Sequence, residues 1–164
     1  MKNILFLTLI GLFHGVGCGY DPSAQNDSAQ KLGVDPRAAK MWGSDLAIAQ
    51  ARAKTTGKLV LIDFTGSDWC PPCMALHDNV LTQPEFLDYA DKHLELVEID
   101  FPRNKPIDKA VELVNRNLAE KYKVQSFPTI IVMDAVGKIL HRDEGYGRKN
   151  ARVFTAELKT TLGR

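Results

Sequence analysis

Lys58-Leu-Val-Leu-Ile-Asp-Phe-Thr-Gly-Ser-Asp-Trp-Cys-Pro-Pro-Cys73 joins two kinds of local structure in sixteen residues. Lys58 to Thr65 carries a continuous Leu-Val-Leu-Ile run with no polar alternation, which predicts a strand covered on both faces. Met74 to Leu81 reads as a helix. The pair Cys70 and Cys73 therefore falls at a strand-to-helix junction, with both thiols in the first helical turn. Unsatisfied N–H groups and the positive end of the helix dipole favour a thiolate there. Pro71 and Pro72 suit early helix positions, which need no N–H. A Cys-x-x-Cys pair so placed forms a redox couple or half of a zinc site, and the rest of the chain has to separate the two.

The chain has 164 residues, 45% of them hydrophobic, enough for one cored domain with a tail. Its 21 basic and 20 acidic residues leave a formal charge of +1, which offers no nucleic-acid footprint. Three cysteines are present, and no second Cys/His pair stands at zinc-finger spacing, which weakens the metal reading. The third cysteine, Cys18, follows Met1-Lys2-Asn3, an apolar run from Ile4 to Phe13, and Gly15-Val16-Gly17. That layout is a signal peptide, too short in its apolar core for a comfortable membrane span. A cysteine directly after small residues resembles the lipobox of bacterial lipoproteins, although Gly15 and His14 depart from its usual pattern. Ordinary cleavage near Gly17 or Gly19 is the alternative. The expected layout is thus a signal segment at 1–17, a lipidated Cys18, a flexible polar tether at 18–40 and a folded domain at 41–164.

Within that domain, Ser44 is placed to cap a helix ending near Gly57, and Pro84 opens another after Thr82-Gln83. Leu94–Asp100 and Thr129–Met133 read as strands, and Asp134 to Gly137 turns the latter into a hairpin partner at 138–142. Ile107 to Tyr122 is helical, with Val111, Leu113, Val114, Leu118 and Tyr122 available for packing, and Asn150 caps a last helix. The resulting class is α/β with a mixed central sheet flanked by helices.

From 42 to 162 the chain resembles a thioredoxin-fold protein in three separated features. These are Asp63-Phe64 ahead of Trp69-Cys-Pro-Pro-Cys73, then Ser126-Phe127-Pro128-Thr129, then Val136-Gly137-Lys138. Gly57-Lys58 and the run Val80 to Phe86 resemble the C-terminal domain of the transporter DsbD, whereas Pro-Pro between the cysteines is similar to tryparedoxins and nucleoredoxins. The resemblance implies a protein thiol–disulfide oxidoreductase. Cys70 would be the exposed attacking thiol and Cys73 the buried resolving one, the two closing a disulfide. It further implies a cis Pro128 that presents the Phe127 backbone to a client, and a Trp69 that shields the site. Asp63 would lie beneath the motif as proton acceptor. Three departures stand out: Leu96 where thioredoxins commonly carry a Lys, one extra residue at Ser67-Asp68, and a longer segment from 101 to 117.

The implied setting is a cell-envelope or periplasmic reductant or exchanger, anchored through its lipid, acting as a monomer on thiol or disulfide clients. Continued reduction calls for a DsbD-like electron donor. No cofactor or metal is called for. The alternatives are a net oxidant, and a metal-binding or metallochaperone module using Cys70, Cys73 and His77, which shares a helix face with Cys73. His93 and His141 read as surface residues.

Overall fold

The computed structural model describes residues 33–164; the signal segment, Cys18 and most of the tether lie outside them. The elements are α1 (Ala38–Met41), β1 (Trp42–Gly43), α2 (Leu46–Thr56), β2 (Leu59–Thr65) and α3 (Pro71–Leu76), which widens into a π turn over His77–Leu81. There follow α4 (Pro84–His93), β3 (Leu94–Asp100), α5 (Lys109–Lys121), β4 (Thr129–Met133), β5 (Ile139–Glu144) and α6 (Ala151–Leu162). The sheet runs β1-β3-β2-β4-β5. Its first three strands are mutually parallel, and β4 and β5 join in antiparallel fashion, which makes the mixed sheet expected from the sequence.

All seven residues of β2 are buried, as its unbroken apolar run predicts. Alternation along the strand sends Leu59 and Leu61 to one face, with Leu96, Ile130 and Val132, under α3, α4 and α6. Val60, Ile62 and Phe64 go to the other face, with Val97, Ile99, Ile131 and Met133, under α2 and α5.

Several local readings move. The cap of α2 is Asp45, whose carboxylate accepts from the N–H groups of Ala47 (2.8 Å) and Ile48 (3.1 Å), not Ser44. Asp45→Ala is expected to cost about 1 kcal/mol in urea denaturation and Ser44→Ala close to nothing. The helix does end on Gly57, at φ 72°, where a side chain would be strained. In α5 the contact with the sheet is made by Leu118, Ala119 and Tyr122, while Val111, Leu113 and Val114 stay exposed and the buried residue is Asn115. Asn115 Nδ2 donates to the Asp100 carbonyl (2.8 Å), so the helix is fixed to the sheet edge by a hydrogen bond where the sequence suggested apolar packing.

The end of the expected tether is folded. The Asp35 N–H donates to the Thr82 carbonyl, Gln83 donates to the Gly33 carbonyl, and Arg37 bridges Asp35 and Asp88. Ala38 enters the core, and the two-residue β1 adds an edge strand beside β3, with Trp42 stacked on Phe86. His93 is half-buried against Tyr89 and His141 half-buried on β5, so neither is the free surface residue expected. Among the described residues no helix is long and apolar enough to cross a membrane.

Candidate redox site

Cys70 is the N-cap of α3 in extended conformation, with Pro71 and Pro72 filling the first two helical positions and Cys73 the third. The two cysteines are joined in a disulfide, their Cα atoms 5.2 Å apart. The Cys73 N–H points at Cys70 Sγ from 3.3 Å, so the sulfur occupies the place that an N-cap oxygen takes in other helices. A thiolate released there on reduction has that donor and the helix dipole already aimed at it. Both sulfurs are covered: Cys73 is 1% exposed, as expected for the resolving position, and Cys70 only 3%. The expectation of an exposed Cys70 fails in this disulfide-linked form, because the sulfur turns inward over the helix end to meet Cys73.

Trp69 and the Phe127-Pro128 segment stand together. The Phe127–Pro128 peptide is cis, Pro128 is buried, and the Phe127 ring meets Trp69 edge-on at 5.8 Å. Trp69 is held by its Nε1, which donates to the Phe101 carbonyl (2.7 Å). Its indole also lies against Gly66, where a Cβ would come within 2.5 Å of the ring. No larger residue fits at 66 without displacing the tryptophan.

Asp63 is 2% exposed and faces α3, on the same side of β2 as Leu59 and Leu61. Its Oδ1 has no hydrogen-bond partner. Burial, and then the nearby Glu98 and Asp100, hold its pKa well above the ordinary carboxylate range. The neighbouring residue on β3 is not Leu96, which pairs with Leu61. It is Glu98, in direct register with Asp63, and Asp100 follows opposite Thr65. Where the family pattern leads one to look for a lysine, the sheet therefore supplies a second acid. Burial and Asp100 raise the pKa of Glu98 as well, and His77 and Lys105 partly offset this. A cleft of about 430 Å³ is lined by Asp63, Cys73, His77, Glu98, Asp100 and Lys105, and connects the buried acid with solvent. Sequence alone does not single out Glu98. Its signal was the Glu-Ile-Asp spelling that puts two acids on one face of β3, which counts only once the β2–β3 register is known.

His77 is exposed and hydrogen-bonds to its neighbour Asp78 (Nδ1 to Oδ1, 2.9 Å). Among the described residues no group of three or more His, Cys, Asp or Glu side chains is arranged to hold a metal ion, so Cys70, Cys73 and His77 are not brought together as a ligand set.

Comparison with known proteins agrees with this geometry. Residues 46–161 match the model of the thioredoxin-like domain family. The chain is 34% identical over 145 residues to the disulfide bond reductase DsbH of Chlamydia pneumoniae, covering 88% of this chain and 86% of that one. It is 27% identical over 109 residues to the thioredoxin-related protein DsbJ of the same organism, covering 66% of this chain but 31% of that longer protein. Among solved structures, a DsbH oxidoreductase superposes with a TM-score of 0.70 at 34% identity, covering 74% of this chain and 83% of that one. The protein belongs to the thioredoxin-like family, as a thiol–disulfide oxidoreductase with a Cys70–Cys73 pair at the start of α3.

Proposed function

We propose that this chain reduces protein disulfides in the cell envelope, in the manner that the name of its relative DsbH describes for that protein. The observation that carries the reading is the pairing of two features. A helix-capping sulfur at Cys70 has a donor already aimed at it, and an unpaired buried carboxyl at Asp63 lies on the cleft that also reaches Cys73. The Cys70 thiolate attacks one sulfur of the client disulfide, and the client's other sulfur leaves as a thiolate. Above the raised pKa of Asp63, where that carboxyl is ionised, Cys73 gives it a proton and attacks Cys70. This frees the second client thiolate and leaves the disulfide described above. Two electrons pass from the cysteine pair to the client. The cis Pro128 turns the Phe127 backbone toward the client, and Trp69 limits the approach of water and of other thiols.

Turnover in this direction needs a donor, for which a DsbD-like membrane reductase has the right chemistry. Lipidation at Cys18 after export places the monomer on the membrane that holds such a donor, with residues 19–32 as the link.

The test is the reduction potential of the Cys70–Cys73 pair in redox buffers. A value near about −270 mV, the thioredoxin level, is expected, and one near about −120 mV would make the protein an oxidant. Radiolabelled palmitate entering the wild-type chain in a bacterial host, and not Cys18→Ser, checks the anchor separately.

A further inference from the structure

In the disulfide-linked form neither sulfur of the pair is open to attack, since Cys70 is 3% exposed and Cys73 1%. A thiolate that reduces the pair has to reach one of those sulfurs, so a neighbour of Cys70 must move first. Pro71 and Pro72 are built into α3, and the buried Pro128 leads directly into β4. That leaves Trp69, which precedes Cys70 and is packed on the irregular stretch 101–108.

Two of the departures from the simple thioredoxin pattern, the extra residue at Ser67-Asp68 and the long segment after β3, meet at this tryptophan. Trp69 Nε1 donates to the Phe101 carbonyl (2.7 Å), and the Arg103 guanidinium lies 3.6 Å from the centre of its ring. The Asp68 carboxylate accepts from the backbone N–H groups of Arg103 (2.9 Å) and Asn104 (2.7 Å), and Asn104 Nδ2 donates back to the Asp68 carbonyl (3.1 Å). Those N–H groups, that of Arg103 first, hold the Asp68 carboxyl below the usual carboxylate range. It is therefore ionised at neutral pH, and the bonds it accepts are charge-assisted.

We propose that Asp68 is a positioning residue, a latch that holds Trp69 and the stretch 101–105 closed beside Cys70, and that opening of this latch gates thiol attack on the disulfide. The proposal rests on the exchange chemistry given above. The rate of attack then follows the population of the open form, and each charge-assisted hydrogen bond lost from the latch raises that population. None of the latch bonds involves a sulfur, so opening costs the same whether the pair is oxidised or reduced. Passage is slowed equally in both directions, and the equilibrium between the two forms stays where it was. Small thiols are held back, while a donor that opens the latch through its own contacts is not.

Reduction of the oxidised full-length protein by dithiothreitol, followed by tryptophan fluorescence, tests this. One dithiothreitol thiolate attacks Cys70 Sγ and Cys73 leaves as a thiolate. The second dithiothreitol thiol then closes the reagent's ring and releases Cys70, so two electrons enter the pair. Asp68→Ala should be reduced faster by about tenfold or more, and Asp68→Asn, which keeps one acceptor oxygen, by less. Arg103→Met, which lifts the cation from the Trp69 ring and keeps the backbone N–H groups, should also be faster. Its sign separates gating from charge: the attacking thiolate is an anion, so loss of the Arg103 charge alone would slow it. Oxidation of each reduced variant by oxidised dithiothreitol should speed up by the same factor, with the reduction potential unchanged. Three results overturn the latch and leave the exchange reading standing. These are an Asp68→Ala rate within about twofold of the wild type, slower reduction of Arg103→Met, and faster reduction with no matching change in re-oxidation. If Asp68→Ala does not fold, Asp68→Asn and Arg103→Met decide by the same criteria. A wild-type pair that dithiothreitol does not reduce overturns the exchange reading, and the latch with it.

Discussion

Replacement of Cys73 by Ser should leave client proteins covalently attached to Cys70. The serine variant keeps the helix-capping sulfur at position 70 and so keeps the attack step, but it has no thiol to close the 5.2 Å gap between the two Cα atoms and expel the client. Mixed disulfides should accumulate in cells and appear as slow bands on non-reducing gels that collapse on addition of reductant. Cys70→Ser should behave in the opposite way. At the third helical position, Cys73 lacks the N-cap place whose aimed N–H and helix dipole favour a thiolate at Cys70; turnover should fall by at least about a thousandfold and no adducts should form. Adducts in the Cys70→Ser protein and none in Cys73→Ser would reverse the two roles. None in either would remove the exchange mechanism.

Asp63→Ala should make the protein more stable at neutral pH and worse at its chemistry. A buried carboxyl with an unpaired oxygen beside two other acids costs free energy whenever it ionises, and the alanine has nothing to ionise. The raised pKa sets the direction. Between the ordinary carboxylate value of about 4 and the higher value of the folded state, the native protein holds a proton that the unfolded chain has released. Wild-type stability therefore falls as pH rises through that window, and the variant lacks this loss. Urea denaturation at pH 7 should show a gain of about 1–3 kcal/mol that shrinks toward zero near pH 4. Release of client by Cys73 should meanwhile slow by about a hundredfold in single-turnover measurements, the loss expected for a missing proton acceptor. Glu98→Gln removes the closest like charge in register with Asp63, so the Asp63 pKa should drop and the acid limb of the release profile should move to lower pH. An Asp63→Ala protein no more stable than wild type at pH 7 would mean that burial does not raise the Asp63 pKa.

Most of the fold is legible one segment at a time. The run Leu59 to Thr65 reads as a doubly covered strand, and the two prolines after Cys70 suit a helix start. The Asp134–Gly137 turn is likewise written in its residues: the Asp134 carboxylate accepts from the N–H groups of Val136 and Lys138, and Gly137 takes φ 92°. Sequence alone misleads where two neighbouring residues offer the same chemistry, as with Ser44 and Asp45 at the start of α2, or where partners are distant. Val111, Leu113 and Val114 look like a packing face, yet α5 turns that face outward because Asn115 is tied to the end of β3.

The same division runs through the site. Local sequence determined the cysteine pair, its place at a helix start and the buried strand beneath it, because spacing, proline geometry and hydrophobic pattern act within a few residues. Only the tertiary structure decided that Glu98 rather than Leu96 lies beside Asp63, and that Asp68 holds the segment 35 residues further on. Strand register and loop contacts are long-range choices, set by how whole faces pack together. A shift of one residue along β3 would have put Val97 or Ile99 beside that acid instead.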